Sequence, residues 1–325
     1  MIFIQPSYEI VPQVDDLLGA YERAEIGART CYKSENVIKK NENGRSETAK
    51  AFVEKLMNVN KHGSIGEHGA IYLTTKERYY FPDSCSWEMK ILDPDIKKYI
   101  DNPYSWVNYR MGYFYITTNL RVINENNLWK DLENPKFVLG KTPDHEERLT
   151  IRFNTQIAIT REANRHRANS PSEQSTRYCN YSKDKFGNEV NINVPEFVKD
   201  EPKLKEYESN KDEVFFGYCE EIAHMPHSNK DFETCCDYTF DIVDYWLFGN
   251  LAAEFAYQGM IRKGAKPEQA RTVLPLDTNS ELVHTAYISD WIKFLKLRCA
   301  ENAHPDIRAL ALKIREDFKN NGWWE

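Results

Sequence analysis

The chain has 325 residues, 41% of them hydrophobic, enough for one large domain or two ordinary ones with a buried core. Its formal net charge is -7, its mean hydropathy is -0.68, and no apolar run is long enough to span a bilayer. A membrane protein and a general nucleic-acid binder are therefore both disfavoured. The seven cysteines are odd in number and form no Cys-x-x-Cys pair. Free thiols in a reducing, cytoplasmic compartment are expected. The opening MIFIQPSYEIVPQVDD lacks a basic n-region and a cleavage-like site, so it reads as mature sequence.

In chain order, MIFI predicts a short strand. The spacing of Leu17, Leu18, Tyr21, Ala24 and Ile26 predicts a helix over 14–31, and 46–59 predicts a second. Residues 70–75 are β-like. Residues 76–148 differ from their surroundings: they are rich in Tyr, Trp, Asp, Asn and Pro, with one strand-like run at 113–118. Alternation predicts a strand over 149–153, followed by a helix over 155–165. Residues 169–193 are polar and read as irregular. Helices are expected at 204–223, 238–263, 267–272, 285–297 and 305–319, with Pro267 suited to a helix start. The fold class is α+β, strands early and helices late.

Four arginines, Arg161, Arg165, Arg167 and Arg177, lie within seventeen residues, interleaved with Ser170, Ser172, Ser175 and Thr176. A helix would put Arg161 and Arg165 on one face. Guanidinium forks and hydroxyls suit phosphate oxygens, because charged bidentate hydrogen bonds fix both position and orientation. Glu173 would repel phosphate; it suits a hydroxyl, an imide N–H or a partner arginine. Charge alone is equally well explained by a solvated basic loop. No metal is expected: His62 and His68 are too far apart for an i, i+4 pair, and His224 with His227 lacks a third ligand. Cys235-Cys236 reads as packing.

The order of residues says more than their charge. Arg165-His166-Arg167, seven residues, then Ser175 and Arg177-Tyr178, resembles the signature of the flavin-dependent thymidylate synthases. Three further segments are similar to that family in the expected order. They are His62-Gly-Ser64-Ile-Gly-Glu67-His68, Gln269-Ala-Arg271-Thr-Val-Leu-Pro275, and Phe294-Leu-Lys-Leu-Arg298 with Ala303 and Ile307-Arg308. The resemblance implies a single domain over 1–325, an antiparallel sheet core with flanking helices, and a homotetramer whose active sites are shared between subunits. It implies a methyltransferase that converts dUMP to dTMP, with FAD as cofactor and NADPH and methylenetetrahydrofolate as co-substrates.

By the same resemblance Arg165, His166 and Arg167 meet FAD, and Arg165 also reaches dUMP. Glu173, Gln174, Ser175, Thr176 and Arg177 line the nucleotide, with Glu173 also near FAD. Arg271 holds dUMP, Arg298 is the catalytic arginine at the uracil edge, and His62 and Ser64 contact FAD. No cysteine nucleophile is implied, and no Pro-Cys-His element of the cysteine-dependent thymidylate synthases is present. Ser175 has no evident adjacent base and reads as a binding residue.

Four departures stand out. Glu162 occupies a dUMP-contact position often held by glutamine, and a carboxylate cannot donate. Cys31 falls near a frequent serine and reads as an inert thiol. Tyr287-Ile288-Ser289 replaces an Asn-x-Arg pattern that touches FAD, and Lys293 replaces a polar partner. The largest departure is the length between His68 and Arg165, which reads as an insertion at 76–148. Its aromatic residues Tyr79, Tyr80, Trp87, Tyr104, Trp106 and Tyr109 are expected to form a satellite core, with folate binding or subunit contact as the alternative. Two rival readings are a phosphate- or RNA-gripping module and a degenerate homologue that binds flavin and nucleotide without turnover.

Overall fold

The computed structural model describes residues 1–80, 93–223 and 240–324. Trp87, Cys85, the His224/His227 pair and Cys235-Cys236 lie outside the described residues. The chain divides into two compact units: Met1–Pro6, Thr155–Ile159 and Thr176–Asn279 form one, and Ser7–Asn154, Thr160–Ser175 and Ser280–Glu325 form the other, larger one.

In the first unit β1 (Ile2–Ile4) pairs in parallel with β9 (Asn191–Asn193). The long helix Ile242–Arg262 is started by Asp241, whose carboxylate accepts from the Val243 and Asp244 amides. Val243, Leu247 and Leu251 repeat at i, i+4 and bury one face of it against Ile192, Val194, Tyr207 and Tyr218. The helix expected over 204–223 breaks at Asn210, giving Pro202–Ser209 and Lys211–Ala223.

The larger unit holds two four-stranded sheets. The first, in the order β2-β7-β10-β8, consists of β2 (Ser7–Ile10), β7 (Arg148–Gln156), β10 (Asn279–Tyr287) and β8 (Ser170–Glu173); the second, in the order β4-β5-β3-β6, consists of β4 (Trp106–Arg110), β5 (Tyr113–Asn119), β3 (Ala70–Thr75) and β6 (Phe137–Leu139). β2 pairs antiparallel with β7, β8 with β10, and β3 with both β5 and β6. Helix α1 (Leu17–Tyr32) is capped by Asp16, which accepts from the Gly19 amide at 2.6 Å. Its small residues Ala20, Ala24 and Ala28 let it lie close to α2 (Ala49–Asn58) and β3.

The described residues of 76–148, among them α3 (Pro94–Ile100) and α4 (Leu120–Glu125), do not stand apart from this unit. Tyr99, Ile116, Leu120, Ile123 and Phe137 complete the core begun by α1 and α2. A small separate cluster does form around Ile96 and Phe114, and it takes up Tyr79 and Tyr109; Tyr80 and Tyr104 are exposed. The expectation of a satellite core thus holds for two of the aromatic residues. On β5, Ile116 joins the main core and Phe114 the small cluster.

Two sequence expectations need correction. Residues 285–287 are not helical: β10 continues to Tyr287 and the helix spans Ile288–Arg298. The β10 sequence lacks simple alternation because it is buried on both faces through Ala286. The polar stretch after Asn169 contains strand β8, Ser-Pro-Ser-Glu, which has no apolar residue to announce it. No helix among the described residues is long and apolar enough to cross a membrane.

Two histidines are wholly enclosed in the larger unit. His68 sits between the Thr285 and Ser172 hydroxyls, 2.8 Å from each, and His284 lies against Phe153 and Trp291. Burial pushes both down to about 3; Arg148 adds to this at His68, and His68 and His166 add to it at His284. Helix α1 seals the His68 side: a Cβ on Gly27 would lie 2.6 Å from the His68 ring. Gly27→Ala should therefore cost about 1–3 kcal/mol in a denaturant melt, because a ring bonded on both sides cannot retreat. As pH falls below the ordinary histidine value of about 6.5, unfolding takes up protons that folded His68 and His284 refuse. Stability should fall from pH 6.5 towards pH 5, by up to about 1.4 kcal/mol per pH unit for each histidine. A denaturation midpoint unchanged between pH 7 and pH 5 would contradict this.

Candidate functional site

Helix α5 (Ile157–Ala163) ends two residues before Arg165. The Arg165 amide reaches back to the Glu162 carbonyl and the His166 amide to that of Ala163, so the triplet occupies a turn between α5 and β8. The helical argument that would align Arg161 with Arg165 therefore stops short of Arg165. Arg165 and Arg167 are exposed and, among the described residues, make no ion pair. His166 is half-buried, edge-on to Phe294 at 5.7 Å, and its Nε2 is buried without a hydrogen-bond partner. Burial lowers its pKa, with Asp290 opposing.

β8 carries Glu173 away from this turn, registered so that Glu173 faces Leu282 and Ser170 faces Thr285 of β10. The Glu173 carboxylate accepts from the Thr160 hydroxyl at 2.6 Å, the Asn164 amide at 3.1 Å and the Ser280 hydroxyl at 3.1 Å. Three neutral donors fix its direction without neutralising it. Gln174 is buried and its amide continues the ladder to the Glu281 carbonyl; the Ser175 amide donates to the Cys31 carbonyl.

Arg298 closes the helix Ile288–Arg298. Its Nη1 meets Glu162 Oε2 at 3.0 Å and its Nη2 the Glu162 carbonyl. Glu162, expected at the nucleotide, is thus engaged by the arginine expected at the uracil edge. His62 and Ser64 are exposed in the turn that ends at His68, and the His68–Ser172 bond ties that turn to β8. Tyr287 lies over the Arg148 guanidinium at 5.3 Å, the Ser289 amide donates to Glu146, and Lys293 pairs with Asp290 at 2.9 Å.

The remaining candidates belong to the first unit. Arg177 pairs with Glu268 at 3.1 Å, both exposed, and Arg271 donates to the Thr176 hydroxyl at 3.4 Å. An exposed pair of this kind contributes little and can yield to an incoming anion. Cavities of about 510 Å³ beside Tyr207 and Glu254, and about 390 Å³ beside Glu25 and Arg152, are lined by none of the candidate residues.

Sequence reasoning missed the residues that hold these groups: Thr160, Asn164, Ser280, His284 and Arg148, the last buried and donating to the Glu67 carbonyl and the Ser170 hydroxyl. The nearest signal was proximity, since Thr160 and Asn164 flank Glu162 in sequence.

A family model described as thymidylate synthase complementing protein matches residues 145–321. The chain is 26% identical over 163 residues to flavin-dependent thymidylate synthases of Corynebacterium diphtheriae and Corynebacterium efficiens, covering 50% of this chain and 53% of each relative. It is 37% identical over 59 residues to the flavin-dependent thymidylate synthase of Geobacter sulfurreducens, covering 18% of this chain and 25% of that one. The chain spans about half the length of the curated Corynebacterium relatives it matches. With more than half of its residues under the family model, and the triplet, Glu173, Arg271 and Arg298 all inside the match, this chain belongs to the flavin-dependent thymidylate synthase family.

Proposed function

We propose that the chain methylates dUMP to dTMP, with FAD as cofactor, NADPH as reductant and methylenetetrahydrofolate as carbon donor. The observation that carries this reading is the grouping within one unit of two exposed arginines, an oriented carboxylate and a held arginine. Glu162 joins that group to Arg298.

The residues present fit a flavin dinucleotide. Arg165 and Arg167 offer uncommitted guanidiniums for an anionic pyrophosphate, and the buried Nε2 of His166 lacks the partner it needs. His62 and Ser64 would add to this contact, with Tyr287, Ser289 and Lys293 as further candidates. When bound, FAD supplies the redox chemistry. The chain's own task is to bind and orient. Arg298, at the uracil N3 and C4 oxygen, would stabilise the negative charge that must gather there for C5 to react as a nucleophile. Glu162 acts on the nucleotide through Arg298. Glu173, Gln174, Ser175 and Arg165 would line the nucleotide, and Thr176, Arg177 and Arg271 would hold dUMP.

The reading extends to the family fold over one domain, with 76–148 inserted. The exposure of His62, Ser64, Arg165 and Arg167 on a single chain suits a homotetramer with shared sites, and we propose that the enzyme works in the cytoplasm. A flavin- and nucleotide-binding homologue without turnover is the second reading, favoured by the carboxylate that offsets the Arg298 charge.

Purified protein should be yellow or become so with FAD, and Arg167→Ala should weaken FAD binding; a protein that takes up no flavin overturns the reading. Arg298→Ala should lower dTMP formation about 100-fold or more while FAD binding persists. Near-normal turnover in that variant removes Arg298 from its role. Glu162→Gln should tighten dUMP binding severalfold, since it leaves Arg298 an acceptor without an opposing charge; unchanged or weaker binding contradicts that account of the pair.

A further inference from the structure

His284 lies on β10 and is fully buried, yet it touches both ends of the turn that carries the triplet. Its Nε2 is 2.9 Å from Asn164 Oδ1, one residue before Arg165. Its Nδ1 is 3.2 Å from Asn169 Nδ2, two residues after Arg167. We propose that His284 is a positioning residue: it clamps the two ends of the Arg165-His166-Arg167 turn and, through Asn164, aims the carboxylate of Glu173.

The direction of every bond in the clamp is forced. An ionised Glu173 can only accept, so Asn164 turns its NH2 group to it, at 3.1 Å. The Asn164 carbonyl oxygen then faces His284, so Nε2 must carry the hydrogen and donate. Nδ1 is therefore bare and must accept, and Asn169 must offer its NH2 group. The buried Oδ1 of Asn169 is left without a hydrogen-bond partner in this orientation. Turning the amide over would set two acceptors against each other. Burial keeps the ring neutral, which the scheme requires, because an imidazolium would donate from both nitrogens and expel Asn169. Phe153 and Trp291, with ring centroids 6.1 and 6.2 Å from the imidazole, hold its plane.

The functional weight of the clamp rests on the proposed flavin role of the triplet, but its geometry does not. The test is accordingly read on full-length protein without flavin. Nitrogen NMR on histidine-labelled wild type should show His284 as the Nε2–H tautomer, neutral through pH 5. The Nδ1–H tautomer, or titration near the ordinary histidine value, overturns the proposal. His284→Phe keeps an aromatic ring against Phe153 and Trp291 and removes both hydrogen bonds. In that variant, amides of residues 164–173 should exchange hydrogen about tenfold faster or more, with the helix Pro305–Asn320 unchanged. His284→Gln, which can both donate and accept, should recover part of the protection. Unchanged exchange in a folded His284→Phe protein also overturns the clamp. If that variant does not fold, the wild-type tautomer decides alone. Failure to bind flavin would instead strike the proposed function and leave the clamp standing.

Discussion

The antiparallel pairing of Ser170–Glu173 with Leu282–Thr285 is the constraint on which the candidate site in the larger unit depends. A polar four-residue strand holds its place there because its alternate side chains are bonded from behind. Ser172 meets His68, and Ser170 meets Arg148. Those bonds lie in a dry interior, where a missing partner would cost about 1–3 kcal/mol, so the register is specified by polar satisfaction rather than apolar packing. From that register follow the position of Glu173, the anchoring of the His62/Ser64 turn through His68, and the placing of the triplet turn between α5 and β8.

Several charged candidates already have a partner of opposite sign. Arg298 has Glu162, Arg177 has Glu268 and Lys293 has Asp290. Arg165 and Arg167 have no such partner among the described residues. In a chain of net charge -7, two exposed arginines on one short turn stand out as a local attractor for an anion. Glu173 is the counterpart of opposite sign: three neutral donors orient it and leave its charge available to a ligand donor. The chemistry proposed here needs this combination, with free cations for a pyrophosphate, a directed carboxylate, and a catalytic arginine held before substrate arrives.

The candidate residues could be named from the sequence because the family signature fixes the order of side chains. The triplet, Glu173 and Arg298 lie in one unit, whereas Thr176, Arg177 and Arg271 belong to the other. What stayed hidden was the supporting shell. Asn164 and Asn169 read as polar loop residues, and only the fold brings His284, more than a hundred residues later, against both. The strand Ser170–Glu173 was invisible for the same reason, since its partners are buried hydroxyl, imidazole and guanidinium groups from distant segments. Helix limits fared better where local chemistry marks the start, as at Pro305, and worse at Thr285–Tyr287, where burial on both faces of β10 erased the two-residue period. In 76–148 the aromatic content predicted packing, but which core each ring joins depends on strand pairing that composition does not encode.

A single activity would show the chain to be a working thymidylate synthase. Flavin-loaded protein given dUMP, methylenetetrahydrofolate and NADPH should form dTMP, and omission of any one of the three should stop it. Flavin-loaded, folded protein that binds dUMP yet forms no dTMP from the complete mixture would contradict the account and leave a nucleotide- and flavin-binding protein in its place.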